Sequence, residues 1–332
     1  MKRLATLVLC LLLCLPLSAC TPKNRKYTET YFDRFDSFAE ITAYANSADE
    51  WDDCLEVFKS ATDKYHRLLD VYNSYEDTVN LYTINNAGGE TVFVSEELFE
   101  FLCEAKRVYT LTGGYTSISL GAVTSIWKTA IKEQTLPDTQ ALNSAAKHVD
   151  ISAIELNEEA LTVRINDPKL RIDAGAIGKG YAAEMIRNEL IDAGCESFLI
   201  NLGGTLCAYG EKPDGESWLG GVQSPDGESE ENISVCVSGM ALSTSGSYHR
   251  GFQLDGVTYH HIIDPTTLMP ENTFTSVSVL CKSATDADAL STALFSMTLD
   301  EGQKLIESLN DTEAMWILSN GTLVTSNGFA KK

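Results

Sequence analysis

The stretch RIDAGAIGKGYAAE, residues 171–184, decides how the rest of this chain is read. It closes a short apolar strand carrying Leu170 and Ile172, crosses Gly175, Gly178 and Gly180, and enters a helix. The glycines let the backbone turn tightly and lie close against a ligand. The helix start offers unpaired N–H groups and the positive end of a dipole, which suits phosphate. Asp173 before the turn and Lys179 within it add one charge of each sign. The order Gly-x-x-Gly-x-Gly reverses the dinucleotide fingerprint, and no Ser or Thr follows Lys179, so neither that motif nor a P-loop is present. Taken alone, the stretch is either a plain strand-to-helix turn or one wall of a phosphate site.

On its N-terminal side, alternating residues predict a strand over 38–45, and helical spacing predicts a helix over 49–69, capped by Ser47 or Asp49. A polar, turn-rich segment follows to Gly89. Ser95 caps a second amphipathic helix over 95–111, which Gly113 and Gly114 stop. The run YTSISLGAV reads as extended, 126–132 as a short helix, 138–147 as a surface helix, and 154–165 as a hairpin. On the C-terminal side, a helix over 179–193 leads into a strand-rich run from 197 to 263 and a strand at 275–281. An apolar helix at 284–297, a helix at 300–309 and a closing hairpin complete the chain. Helices and strands are partly segregated, which gives an α+β unit with two lobes.

The 332 residues suffice for a full core. With 25 basic against 47 acidic residues the net charge is −22, which argues against nucleic acid as a partner. Lys2 and Arg3 precede an apolar run, and Leu17-Ser18-Ala19-Cys20 follows it. This predicts a signal peptide over 1–19 and, because a cysteine follows the small residues, a bacterial lipobox with Cys20 as the lipidated first residue. The mature chain would then be tethered through a polar linker over 20–30, with one domain over 31–330, on the extracytoplasmic face of a bacterial membrane. The cysteines show no C-x-x-C spacing, so zinc and redox motifs are unsupported and any disulfide pairing stays open.

Three further clusters carry polar chemistry. In ATDADALSTAL, Asp288 and Thr292 lie four residues apart, on one face of an otherwise apolar helix. A buried carboxylate needs a partner, and a carboxylate with a hydroxyl suits Mg²⁺ completed by substrate phosphates. The alternative is that Asp286 and Asp288 merely favour the helix dipole. In YHHIIDP, alternation lets only one of His260 and His261 face a given cleft; that one is a general-base candidate, and a structural histidine is the alternative. MALSTSGSYHRG, residues 240–251, lacks the G-x-S-x-G elbow and is either a plain turn or a polar pocket wall.

These stretches, in this order, resemble the ApbE family of FAD:protein FMN transferases. The resemblance runs from FDSFAEITAY through LTGGYTSISLGAV, IDAGAIGKGYAAE, INLGGTLCAYG, ALSTSGSYHRGF and HHIIDPTTLMP to DADALSTAL. It implies a two-lobed, T-fold-like α+β domain with an FAD cleft between the lobes. It implies Mg²⁺-dependent transfer of FMN from FAD to a threonine hydroxyl of exported acceptor proteins, releasing AMP. By motif position, Asp288, Thr292 and the carbonyl of Ala176 look like metal ligands, Asp173 and Lys179 like FAD contacts, and His261 like the base. Phe35, Tyr72, Tyr115, Ser117 and Ser119 look like flavin- or adenine-pocket residues. An FAD pyrophosphatase or a non-enzymatic FAD-binding lipoprotein on the same scaffold is the alternative.

Overall fold

The computed structural model describes residues 24–223, 233–248 and 250–329. The signal peptide and Cys20 lie outside them. An eight-stranded antiparallel sheet forms the frame, in the order Arg25–Arg34, Ser37–Ala45, Phe198–Leu202, Thr205–Tyr209, Ala241–Gly246, Phe274–Cys281, Glu313–Leu318, Leu323–Thr325. The helices Ala48–Leu68, Gly178–Asp192 and Ala284–Ser296 pack together against it. A small sheet of Val92–Phe93, Thr162–Ile165 and Ile154–Asn157 belongs to the second lobe. Two ribbons, Leu219–Val222 with Ile233–Cys236 and Gly251–Leu254 with Val257–His260, flank the frame.

The helix Ala284–Ser296 lies at the centre. Every residue in it is buried except Asp286 and Thr292. Its strand neighbours present Ala241, Val277 and Val279 to the same core, all fully buried. Ser283 caps it by accepting from Asp286 N–H at 3.1 Å. Glu184, from the helix Gly178–Asp192, reinforces that end: its carboxylate accepts from Ser283 Oγ at 2.7 Å and from Thr285 N–H at 3.0 Å. A carboxylate at a helix N-terminus is favourable both as hydrogen-bond acceptor and against the dipole.

The two helices also touch further along. A Cβ on Gly180 would sit 2.3 Å from the Ala284 carbonyl oxygen and 2.5 Å from Asp288 Cβ. Only glycine permits this approach, so the second glycine of the GKG motif is a helix-packing device. The helix Ala48–Leu68 is tied to the turn after Gly178–Asp192 by a disulfide between Cys54 and Cys195. The sequence leaves that pairing open; the fold brings the two Cα atoms to 6.0 Å.

Three expectations are corrected. The linker expected over 20–30 is a strand from Arg25 onward, paired along Ser37–Ala45. Its polar residues face solvent while Tyr27 stacks on Trp51 at 5.2 Å and Tyr31 on Phe58 at 6.1 Å, a period of two hidden in a polar edge strand. The segment read as extended over 115–123 turns instead, makes one bridge from Leu120 to Arg171, and begins the helix Gly121–Glu133. The turn-rich segment before Gly89 contains the short helix Leu81–Asn85, fixed by a capping box between Asn80 and Thr83.

Candidate active site

A cavity of about 1310 Å³ opens between the lobes. Ligand pockets commonly run to roughly 300–1,000 Å³, so this one exceeds what a single small ligand needs. Phe35, Tyr72, Tyr115, Ser117, Asp173, Ala176, Lys179, His261, Asp288 and Thr292 all line it. Residues from six separate stretches of sequence therefore meet in one place.

Asp288 projects from the central helix and is 3% exposed. One carboxylate oxygen accepts from Gly180 N–H at 2.8 Å. The other accepts from Ser243 Oγ at 3.1 Å and lies 3.6 Å from Lys179 Nζ. The charge is thereby solvated by the protein, which answers the cost of burying it. Asp286 takes the helix-end role instead, paired with Arg107. One turn beyond Asp288, Thr292 shares a hydroxyl contact with Ser245 at 3.2 Å. The segment 240–251 is thus a pocket wall: Thr244, Ser245, Gly246, Tyr248, Arg250 and Gly251 line the cavity. Ser243 and Thr205, whose hydroxyls meet at 3.0 Å beside Asp288, are site residues the sequence reading missed. Their only signal is alternation along two strands of the frame, indistinguishable from ordinary core polar residues.

The donor set suits a hard cation. Among the described residues no three of His, Cys, Asp and Glu gather into a metal cluster. Lining the same cavity are one carboxylate, the Thr292 hydroxyl and Ala176, whose carbonyl accepts no hydrogen bond from the described residues. Mg²⁺ characteristically takes one or two carboxylates and completes its shell with water and substrate phosphate.

Asp173 is less available than expected. Oδ1 accepts from Gly175 N–H at 2.9 Å, and Oδ2 accepts from Thr124 Oγ1 at 2.6 Å and from Lys128 Nζ at 2.9 Å. Burial works against its charge, but Lys128 and these donors outweigh it and hold the carboxyl below the ordinary range. The helix N-terminus is also partly spent: Gly178 N–H donates to Ala174 O at 2.7 Å and Gly180 N–H to Asp288. Beside the two readings left open for the glycine turn, the helix end here does a third thing as well: it positions a carboxylate.

The two histidines separate as alternation requires. His260 is fully buried, with Nε2 on the Glu271 carbonyl at 2.7 Å. His261 lines the cavity. Its Nδ1 faces the Arg250 carbonyl at 3.3 Å. A carbonyl only accepts, so Nδ1 carries the proton and Nε2 keeps its lone pair. Crowding by the cavity walls, then the neighbouring Arg250 and Lys179 cations, lower the pKa of His261 to about 4.

The remaining pocket residues divide. Phe35 sits at the tip of the hairpin joining the first two strands, at φ 53°, unusual for a bulky side chain. Its N–H donates to His66 Nδ1 at 3.2 Å and its ring meets the imidazole edge-on at 5.6 Å. Ser119 does not line the cavity. It is fully buried, and its hydroxyl is committed to Val149 O, because the turn that carries it points inward before the helix begins.

The ApbE family model matches residues 35–316. A Treponema pallidum protein described as FAD:protein FMN transferase is 31% identical over 278 residues, covering 79% of this chain and 77% of its own. A Klebsiella pneumoniae protein of the same description is 29% identical, covering 79% and 84%. The crystal structure of a Thermotoga maritima ApbE protein superposes with a TM-score of 0.81 at 26% identity, over 92% of this chain and 98% of that one. A Vibrio cholerae flavin transferase shares the fold, with a TM-score of 0.78 at 24% identity.

Proposed function

Since the chain belongs to the ApbE family, we propose that it is an FAD:protein FMN transferase working outside the cytoplasm. The observation that carries this reading is the convergence of Asp288, Thr292, Ala176, Lys179 and His261 on one cavity. The substrate is FAD, and the acceptor is a threonine hydroxyl of an exported protein. The acceptor oxygen forms a bond to the FMN phosphorus. The bond from that phosphorus to the bridging oxygen breaks, and AMP leaves with that oxygen. His261 takes the hydroxyl proton at Nε2, the nitrogen its Nδ1 contact leaves open. Lys179 places a fixed positive charge beside Asp288, where the pyrophosphate docks. Asp288, Thr292 and the Ala176 carbonyl would hold Mg²⁺, which when bound would supply Lewis-acid stabilisation of charge on the phosphate oxygens. Phosphoryl transfer depends mostly on positioning and charge neutralisation, and this chain supplies both.

Export, lipidation at Cys20 and membrane attachment belong to the same proposal. The Cys54–Cys195 disulfide supports an oxidising compartment. Among the described residues no helix is long and apolar enough to cross a membrane; the attachment proposed is the lipid at Cys20.

The test incubates the mature chain with FAD, Mg²⁺ and a purified flavin-acceptor domain. Covalent flavin on the acceptor threonine, with AMP released in equal amount, is the expected result. Free FMN and AMP without labelling would make the chain a pyrophosphatase, and no turnover would leave a flavin-binding protein.

A further inference from the structure

The helix Gly121–Glu133 presents Thr124, Trp127, Lys128 and Ile131 to the cavity. Lys132 lines the cavity from the same helix, and Lys128 is the cation tied to the glycine turn. Its ammonium lies 2.9 Å from Asp173 Oδ2, contacts the Tyr72 hydroxyl, and stands 5.0 Å from the Tyr72 ring centre. Asp173 belongs to the glycine turn and Tyr72 to the loop after the helix Ala48–Leu68, so three elements converge on this nitrogen. An ammonium has three donors and no acceptor. Asp173 and Tyr72 take two, and among the described residues nothing takes the third. Beside it stands the half-exposed ring of Tyr72, and the buried indole of Trp127 backs the same wall.

A flat apolar wall with one spare donor is complementary to a planar heteroaromatic ring whose edge carries acceptors. FAD has two such rings, one at each end. We propose that Lys128 binds one of these rings, with Asp173 and Tyr72 holding the ammonium in place. Asp173 is then a positioning residue: its own oxygens are already occupied, and it reaches the substrate through Lys128. The inference rests on FAD being the substrate.

The test measures FAD dissociation constants by flavin fluorescence for the mature protein, for Lys128→Met and for Lys128→Arg, with thermal midpoints as the folding control. Losing a charge-assisted hydrogen bond in the site should raise the Kd about tenfold in the methionine variant, and arginine should restore most of it. FMN and ADP, titrated separately, carry one ring each. Weakening of FMN alone assigns Lys128 to the flavin end, and weakening of ADP alone to the adenine end. Asp173→Asn should weaken FAD binding in the parent protein but add little to Lys128→Met, since both changes remove the same contact. A parent protein that binds FAD with a Kd unchanged by Lys128→Met overturns the inference and leaves the transferase reading intact. A parent protein that does not bind FAD overturns the transferase reading itself.

Discussion

At the residue scale, two side chains carry the proposed chemistry and each makes a separable prediction. The pKa of His261, lowered to about 4, keeps the imidazole neutral at every pH above roughly 5. An ordinary histidine would be half protonated near pH 6.5 and would lose its function as a base below that. The profile of kcat/KM for FAD in transfer should therefore stay flat from pH 8 to about 5.5, with any acid limb of His261 appearing only toward pH 4. A limb centred at 6.5 would contradict the environment described for this ring. Asp288 is harder to probe, because it serves structure as well as chemistry. Asp288→Ala strands the buried Gly180 N–H, and a stranded buried donor costs about 1–3 kcal/mol. Asp288→Asn keeps an acceptor for that N–H and removes the charge proposed to hold the metal. The expectation is Mg²⁺-dependent turnover at least about a hundredfold lower in both variants, with a clear loss of stability only in alanine. Equal stability loss in both, read by denaturant midpoints, would mean the charge itself supports the fold. That Asp288, Thr292 and His261 line one cavity could be anticipated from sequence because their residue types stand out against apolar or alternating neighbours. The place of Ser243 and Thr205 could not, because a hydroxyl on a frame strand looks the same whether it touches a neighbouring strand or a catalytic carboxylate.

At the scale of elements, the GKGYAAE helix works through its neighbour. Gly180 lets it approach the central helix, Gly180 N–H fixes Asp288, and Glu184 caps the central helix at Ser283 and Thr285. Gly180→Ala forces a methyl against the Ala284 carbonyl, and backbone has nowhere to yield in a packed interior. Overpacking of this kind costs roughly 1–3 kcal/mol, and the carboxylate shifts with the helix. The variant should lose transfer by more than its stability loss accounts for, measured as kcat on the fraction folded at 25 °C. Activity reduced only in proportion to unfolding would show that the close contact merely stabilises. Helices with strong caps and an apolar stripe, such as Ala48–Leu68 and Glu96–Leu111, were legible to within a residue or two because cap and periodicity agree. The strand Arg25–Arg34 and the turn before Gly121 were not, because an edge strand with one dry face and a buried irregular turn take their conformation from what they pack against.

At the scale of the molecule, the site exists only while the lobes and the three packed helices keep their relative positions. The hydrophobic core spans the frame and all three helices, and the cavity walls come from both ends of the chain. The α+β class with two lobes follows from the order of elements along the sequence. The pairing of Cys54 with Cys195 does not, since nothing local relates residues 141 positions apart. That separation gives the cross-link its weight. Closing a long loop restricts the unfolded chain, and the chain-entropy estimate for a loop this long approaches 5 kcal/mol, with native disulfides commonly worth about 2–5 kcal/mol. The bond pins the helix Ala48–Leu68, which leads to Asp70 and Tyr72 in the cavity, to the end of the helix that begins with Gly178 and Lys179. Replacing both cysteines by serine should lower the unfolding free energy by about 2–5 kcal/mol and lower the thermal midpoint. FAD should partly recover that loss, because a ligand contacting both lobes stabilises only the folded arrangement. The measurement is a thermal midpoint series against FAD concentration in the parent and the double-serine protein. A double-serine protein as stable as its parent, under oxidising conditions and without FAD, would mean that the core alone holds the helices together.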